Sequence, residues 1–308
     1  MIAYIFPGQG SQAVGMGKDL YENFGVSREV FEEADAALGF SLSEMCFSGS
    51  EADLQLTANT QPAILTTSVA AFRAMEESGF PMPDFVAGHS LGEYSALVAA
   101  GAMGFSDAVK TVRKRGTYMQ EAVPTGVGAM AAILGLPLET VEVACEEAGQ
   151  GEICSPANIN SPAQIVIAGN TEAVDRAIEL LKTRGAKRAI KLNVSAPFHC
   201  DLMLPAQDKL AKDLAGIGFR DARFPIIENV SAEANTKGER VRAALTEQVS
   251  SPVLWVASIE NLINENVDTF VEVGAGKVLS GLVRQINRDV RCLNVENAES
   301  LKNTLQLL

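Results

Sequence analysis

The chain has 308 residues, 47% of them apolar and 20% charged, which is the composition of a folded globular protein and excludes a disordered one. A net charge of −13 argues against nucleic acid and anionic membranes as partners. No apolar run reaches the roughly 18 residues that span a bilayer, and the start has no basic leader, so a cytoplasmic protein is expected. Met1-Ile2-Ala3-Tyr4-Ile5-Phe6 predicts a first buried strand that stops at Pro7-Gly8, followed by a glycine-rich loop, Gly8-Gln9-Gly10-Ser11-Gln12. Helices are predicted from Lys18 to Leu38 and from Gln61 to Ser78, with Pro62 in the first turn of the second. Phe85-Val86-Ala87 is a short strand, Tyr94–Ala100 opens an apolar helix, and Ser106 to Glu121 is a polar-basic helix.

From Gly126 onward the pattern changes. Strands at 129–134, 153–159, 164–168 and 189–194, with helices at 138–148 and 171–184, give the β-α-β-β-α-β order of a ferredoxin-like unit. Pro124-Thr125-Gly126 and Ser195-Ala196-Pro197 flank it. The predicted fold class is α/β: a large α/β-hydrolase-like domain with a mostly parallel sheet (1–125 and 195–308) carrying an inserted ferredoxin-like small domain (126–194). Further strands are expected at 224–229 and 269–273.

Gly88-His89-Ser90-Leu91-Gly92 sits between a strand and a helix, the context in which G-x-S-x-G forms a nucleophile elbow. A serine hydroxyl needs a base, and the chain has only two histidines, His89 and His199. On a tight elbow the side chain of His89 diverges from that of Ser90. His199 is then the histidine able to reach from a distant loop, against the alternative that it is only a hydrogen-bonded loop residue. The backbone amide of Leu91 can donate to an oxyanion, with a partner amide from a neighbouring loop.

Two glycine motifs are set aside. Gly8 to Ala13 loosely matches a dinucleotide fingerprint, but the following segment is helical where an acidic strand end is required. Gly274-Ala275-Gly276-Lys277-Val278 has Val271 and Val278 at positions where a phosphate loop needs glycine and a hydroxyl, so it reads as a strand-to-helix junction. The five cysteines are scattered, without a C-x-x-C pair, and read as inert thiols rather than disulfides or metal ligands. Arg113-Lys114-Arg115 is a solvated helix face unless one member turns inward to meet a carboxylate.

Taken in order, Phe6-Pro7-Gly8-Gln9-Gly10-Ser11-Gln12, Gly88-His89-Ser90-Leu91-Gly92-Glu93-Tyr94, Phe198-His199 and Glu272-Val273-Gly274 resemble the malonyl-CoA:acyl carrier protein transacylases, the stand-alone acyltransferases of bacterial fatty acid synthesis. The resemblance spans almost the whole chain. It implies malonyl transfer from malonyl-CoA to the phosphopantetheine thiol of holo-acyl carrier protein through a malonyl-serine, with no metal or redox cofactor. It implies Ser90 as nucleophile, His199 as base and Gln248 as the glutamine whose carbonyl orients the histidine. It further implies Gln9 and Leu91 as oxyanion donors, Arg115 as partner of the malonyl carboxylate, and Phe198 as a position that favours malonyl over methylmalonyl. An acidic carrier protein would need a basic island on this acidic chain, for which Lys110, Lys114, Lys187, Arg188 and Lys191 are candidates. The competing reading is a serine esterase or thioesterase, which requires an acid between Ser90 and His199 in chain order and no carboxylate-binding arginine. A scaffold that has kept the fold and lost catalysis is the third, and an intact set of Ser90, His199 and Arg115 argues against it.

Overall fold

A computed structural model describes residues 1–124, 126–194 and 196–308. The predicted junctions at Thr125 and Ser195 lie outside the described residues. In chain order the strands are β1 Ile2–Phe6, β2 Phe85–Gly88, β3 Gly128–Leu134, β4 Cys154–Ser161, β5 Gln164–Asn170, β6 Arg188–Lys191, β7 Ile226–Ile227, β8 Ala234–Asn235, β9 Thr269–Val273 and β10 Arg291–Val295. Six of them form one sheet, β10-β9-β1-β2-β7-β8, parallel except for the edge strand β8. Its inner strands are covered on both faces, which is why Ala3–Phe6 and Thr269–Val273 are continuously buried rather than alternating. The register pairs Phe6 with Gly88, so the loop after β1 and the turn after β2 leave the sheet side by side.

That adjacency explains the glycines of both motifs. A Cβ on Gly92 would lie 2.0 Å from the Phe6 carbonyl oxygen, and one on Gly88 would lie 1.9 Å from the Gly92 carbonyl carbon. A Cβ on Gly8 would lie 2.3 Å from the His89 carbonyl oxygen. In all three cases backbone packs on backbone, and only glycine fits.

The long central helix, Thr57–Glu77, is almost entirely buried and carries the main core. It begins four residues earlier than its sequence suggested, which places Pro62 inside the helix rather than in its first turn. Leu56 is extended and its carbonyl accepts from both Asn59 and Thr60, so the helix is already under way before the proline. The segment predicted as one helix from Lys18 is two, Lys18–Asn23 and Gly25–Leu38, broken at Phe24, whose backbone is extended. The predicted strand over 224–229 shrinks to β7, because the chain turns at Glu228-Asn229 into the site described below.

The second sheet has the order β4-β5-β3-β6, antiparallel throughout, with the helices Leu138–Gly149 and Thr171–Thr183 in its crossovers. This is ferredoxin-like topology. Alternation along β3 divides its residues: Ala129, Ala131 and Ile133 pack with the two helices, while Met130 joins the core shared with the large sheet. Backbone bonds from Ile159 to the Val253 carbonyl (3.0 Å) and from Val253 to the Ala157 carbonyl (2.9 Å) tie β4 to the loop carrying Gln248. Among the described residues no helix is long and apolar enough to cross a membrane.

Candidate active site

A cavity of about 450 Å³ opens between the two sheets at the carboxyl ends of β1 and β2. The large sheet contributes Gly8, Gln9, Ser90 and Leu91, and the small one contributes Met130, Asn160, Gln164 and Val166. A third wall is the helix Val278–Ile286. Glu272, fully buried at the end of β9, caps that helix by accepting from the amides of Leu279 (2.9 Å) and Ser280 (2.7 Å). A carboxylate at a helix N-terminus meets both the free amides and the helix dipole, so Glu272 serves the wall and not the chemistry.

Ser90 occupies the sharp turn between β2 and the helix Gly92–Ala99, with φ of 52°. Its Oγ lies 2.7 Å from His199 Nε2. His199 Nδ1 lies 2.8 Å from the Gln248 main-chain carbonyl and 3.2 Å from that of Ser251. Carbonyl oxygens only accept, so Nδ1 carries the proton and Nε2 is left as the acceptor for the serine hydroxyl. Burial, then the nearby Arg115 charge, push the His199 pKa down to about 3, and the ring is neutral at physiological pH. A neutral imidazole in this tautomer has the free nitrogen that a general base for Ser90 needs.

Arg115 turns inward from the helix Phe105–Glu121 and is 1% exposed, whereas its neighbour Lys114 stays at the surface, paired with Asp213. Arg115 Nη1 donates to Gln61 Oε1 (2.9 Å), and Nη2 donates to Gln248 Oε1 (2.9 Å) and to Ser90 Oγ (3.2 Å). Its guanidinium lies over the Tyr94 ring, 5.6 Å from the centroid. Among the described residues no carboxylate forms an ion pair with it, so a buried positive charge stands unneutralised beside the candidate nucleophile.

The family whose model is described as "Acyl transferase domain" matches residues 3–303. Over 308 residues the chain is 51% identical to the malonyl CoA-acyl carrier protein transacylase of Bacillus subtilis (strain 168), covering 100% of this chain and 97% of that protein. The chain belongs to the malonyl CoA-acyl carrier protein transacylase family. It is an acyltransferase. The protein of the same name from Escherichia coli (strain K12) is 50% identical over 284 residues, 92% of each chain. Among solved structures, the transacylase of Coxiella burnetii superposes with a TM-score of 0.97 at 44% identity, covering 99% of this chain and 96% of that one. A malonyl-transacylase in complex with a type II PKS acyl-carrier protein also gives 0.97, at 46% identity and 100% and 99% coverage.

Of the remaining residues that the transacylase resemblance singled out, Gln9, Leu91 and Phe198 line the cavity, and Gln248 bonds residues that do. The backbone amides of Gln9 and Leu91 are free of protein acceptors among the described residues. Phe198 is buried. Gln248 enters in two ways: its main chain faces His199, and its side chain meets Arg115, Ser90 and Glu93. His89 diverges from the elbow as expected: its Nε2 donates to Asn160 Oδ1 (2.7 Å) and its ring packs edge-on against Trp255.

Three residues escaped sequence reasoning. Gln61 holds Arg115 from the central helix. Asn229 accepts from the Ser90 amide and donates to the Gly88 carbonyl, both at 2.7 Å, so it spans the elbow. Glu93 accepts from the Asn229 amide (3.0 Å) and from Gln248 Nε2 (2.8 Å). The one signal for Asn229 is a polar residue just past the apolar pair Ile226-Ile227, at the carboxyl end of a strand beside the elbow strand. Of the basic residues expected to form a docking island, Lys114 and Lys191 are each tied to a carboxylate at 2.8 Å, Asp213 and Asp175.

Proposed function

We propose that the protein transfers malonyl from malonyl-CoA to the phosphopantetheine thiol of holo-acyl carrier protein, by a ping-pong route through a malonyl ester on Ser90. The observation that carries this reading is Arg115: a buried guanidinium without an ion-pair partner among the described residues, 3.2 Å from Ser90 Oγ. A substrate bearing a carboxylate near its reacting carbonyl would supply the missing charge. The names of the relatives, and the carrier protein in one structural neighbour, support the donor and the acceptor.

In the first half-reaction Ser90 Oγ attacks the thioester carbonyl carbon while His199 Nε2 takes the hydroxyl proton. The amides of Gln9 and Leu91 donate to the developing oxyanion, and Arg115 holds the malonyl carboxylate. The carbon–sulfur bond breaks, and the proton on His199 passes to the departing coenzyme A thiolate. The second half-reaction runs the same steps with the carrier thiol as nucleophile, and ester and thioester exchange without any redox change or metal. Phe198, which lines the cavity, is assigned the role of favouring malonyl over a branched acyl group. The esterase alternative calls for a carboxylate at His199 Nδ1, where two main-chain carbonyls stand instead.

Intact-mass measurement after mixing with malonyl-CoA tests the reading. The expected result is one malonyl group on Ser90, stable until holo-acyl carrier protein removes it to its own thiol. Prompt release of free malonate without a carrier would overturn transfer in favour of hydrolysis.

A further inference from the structure

We propose that Glu93 is a positioning residue for the acyl-carboxylate subsite: it fixes the Gln248 amide with its oxygen toward Arg115, and so holds the guanidinium beside Ser90 Oγ. The inference rests on the malonyl-transfer reading and adds to it a residue one helical turn from the nucleophile that never touches substrate.

Two opposite buried charges, Glu93 at 2% exposure and Arg115 at 1%, stand near each other, and neither forms a direct ion pair among the described residues. One side-chain amide joins them. Gln248 Nε2 donates to Glu93 Oε2 (2.8 Å) and to the Ser90 carbonyl (2.9 Å), and Gln248 Oε1 accepts from Arg115 Nη2 (2.9 Å). The two ends of an amide are nearly the same shape, so only the partners decide which way it points. Glu93 offers only acceptors and Arg115 only donors, so each side demands the same orientation.

A direct Glu93–Arg115 pair would neutralise the guanidinium and leave nothing for a substrate carboxylate. Placing the amide between them keeps the cation held and still unsatisfied. Glu93 is itself anchored by the Asn229 amide (3.0 Å), and the other acid near it, Glu228, is paired with Arg240 (2.9 Å). The geometry therefore separates two tasks. Gln61 and Gln248 hold the guanidinium, and Glu93 sets the direction of the second holder.

The test compares malonyl-CoA with acetyl-CoA, which lacks the carboxylate, in Glu93→Ala, Glu93→Gln and wild type, at pH 8 and with holo-acyl carrier protein as acceptor. In Glu93→Ala the kcat/KM preference for malonyl is expected to fall about tenfold, the scale of one charge-assisted hydrogen bond, mainly through KM. Sulfonylation of Ser90 by a neutral sulfonyl fluoride should keep its wild-type rate, which a merely structural role for Glu93 would not preserve. Glu93→Gln, whose amide oxygen can accept both bonds, should recover most of the preference. If Glu93→Ala fails to fold, Glu93→Asp, charged but one methylene short of Gln248, should show the same loss. An unchanged preference, an equal fall of malonyl transfer, acetyl transfer and sulfonylation, or a Gln variant as impaired as Ala overturns the proposal. Failure of wild-type protein to transfer malonyl would instead overturn the functional reading, and that is read on wild type alone.

Discussion

Ser90 and His199, whose Oγ and Nε2 are 2.7 Å apart, both have left-handed backbones, with φ of 52° and 60°. Such a conformation strains any residue with a Cβ, by about 1–3 kcal/mol at each position, and it persists only where the surroundings over-determine it. Here the surroundings are visible. Gly88 and Gly92 allow the elbow to close, and Asn229 ties its two sides.

That strain is measurable at Ser90. On the proposed route both Ser90→Ala and Ser90→Gly should abolish acylation, because each removes the hydroxyl. They should differ in stability: glycine relieves the left-handed strain, less its greater entropy when unfolded, and Ser90→Gly should be the more stable by about 0.5–1 kcal/mol. Urea unfolding of the two variants compares them directly. An alanine variant at least as stable as the glycine one would show that the elbow is relaxed.

A protein with two histidines permits a direct check of the base. His199 is buried and His89 half-buried, and desolvation lowers the pKa of each, to about 3 for His199. Imidazole nitrogen NMR should show the His199 ring neutral and in the Nδ1–H form from pH 8 down to pH 5. The stability consequence has a definite sign. The unfolded histidine binds its proton near the ordinary value of about 6.5 and the folded one does not, so the unfolded state holds more protons between pH 3 and 6.5. Stability from this group is complete above pH 6.5 and is lost as pH falls toward 3. Glu93, raised to about 7 mainly by burial, works in the opposite sense, and its contribution falls as pH rises from 4.5 toward 7. His199→Ala should therefore flatten the acid limb of the stability curve, and Glu93→Gln should steepen it.

Much of this site could be read from residue order, and the reasons are local. The elbow shows because backbone contacts at Gly88 and Gly92 tolerate only glycine, and β9 shows because Thr269–Val273 is a buried parallel strand with a glycine after it. The ferredoxin-like order shows in the alternation of short strands and amphipathic helices. What stayed hidden was set by long-range contact. Asn229 meets Ser90 across 139 positions and Gln248 meets Glu93 across 155, and neither distance leaves a mark in a single sequence. Arg115 illustrates the boundary. Its cluster looks solvated on composition, and only packing reveals that one member faces inward while Lys114 faces out.

The arginine at 115 brings shape as well as charge to the site. Two of its nitrogens make three hydrogen bonds, to Gln61, Gln248 and Ser90, which the single nitrogen of lysine cannot reproduce in the same plane. Arg115→Lys should lower kcat/KM for malonyl-CoA by about 30-fold or more, the cost of losing charged bonds at a buried site, and lower acetyl transfer much less. Steady-state assays with both thioesters decide it. Equal losses for the two would show that Arg115 serves the fold or the oxyanion and not the acyl carboxylate.

Asn229 offers the sharpest separation of geometry from binding. Its side chain bonds the Gly88 carbonyl and the Ser90 amide, among the described residues it makes no hydrogen bond to Arg115 or His199, and all four of its polar groups, including its backbone amide and carbonyl, are satisfied. Asn229→Ala leaves two elbow groups without partners and relaxes the turn that aims Ser90 Oγ at His199. The expected stability loss is about 2–4 kcal/mol, from two unsatisfied buried groups. The acylation rate constant, measured by rapid quench with malonyl-CoA, should fall at least about tenfold, since misplacing a nucleophile by a fraction of an ångström is enough to do so. Binding of malonyl-CoA should be nearly unchanged, because Arg115 keeps its own holders. A variant that acylates at the wild-type rate once folded would show that glycine packing alone sets the elbow and that the asparagine only fills the turn.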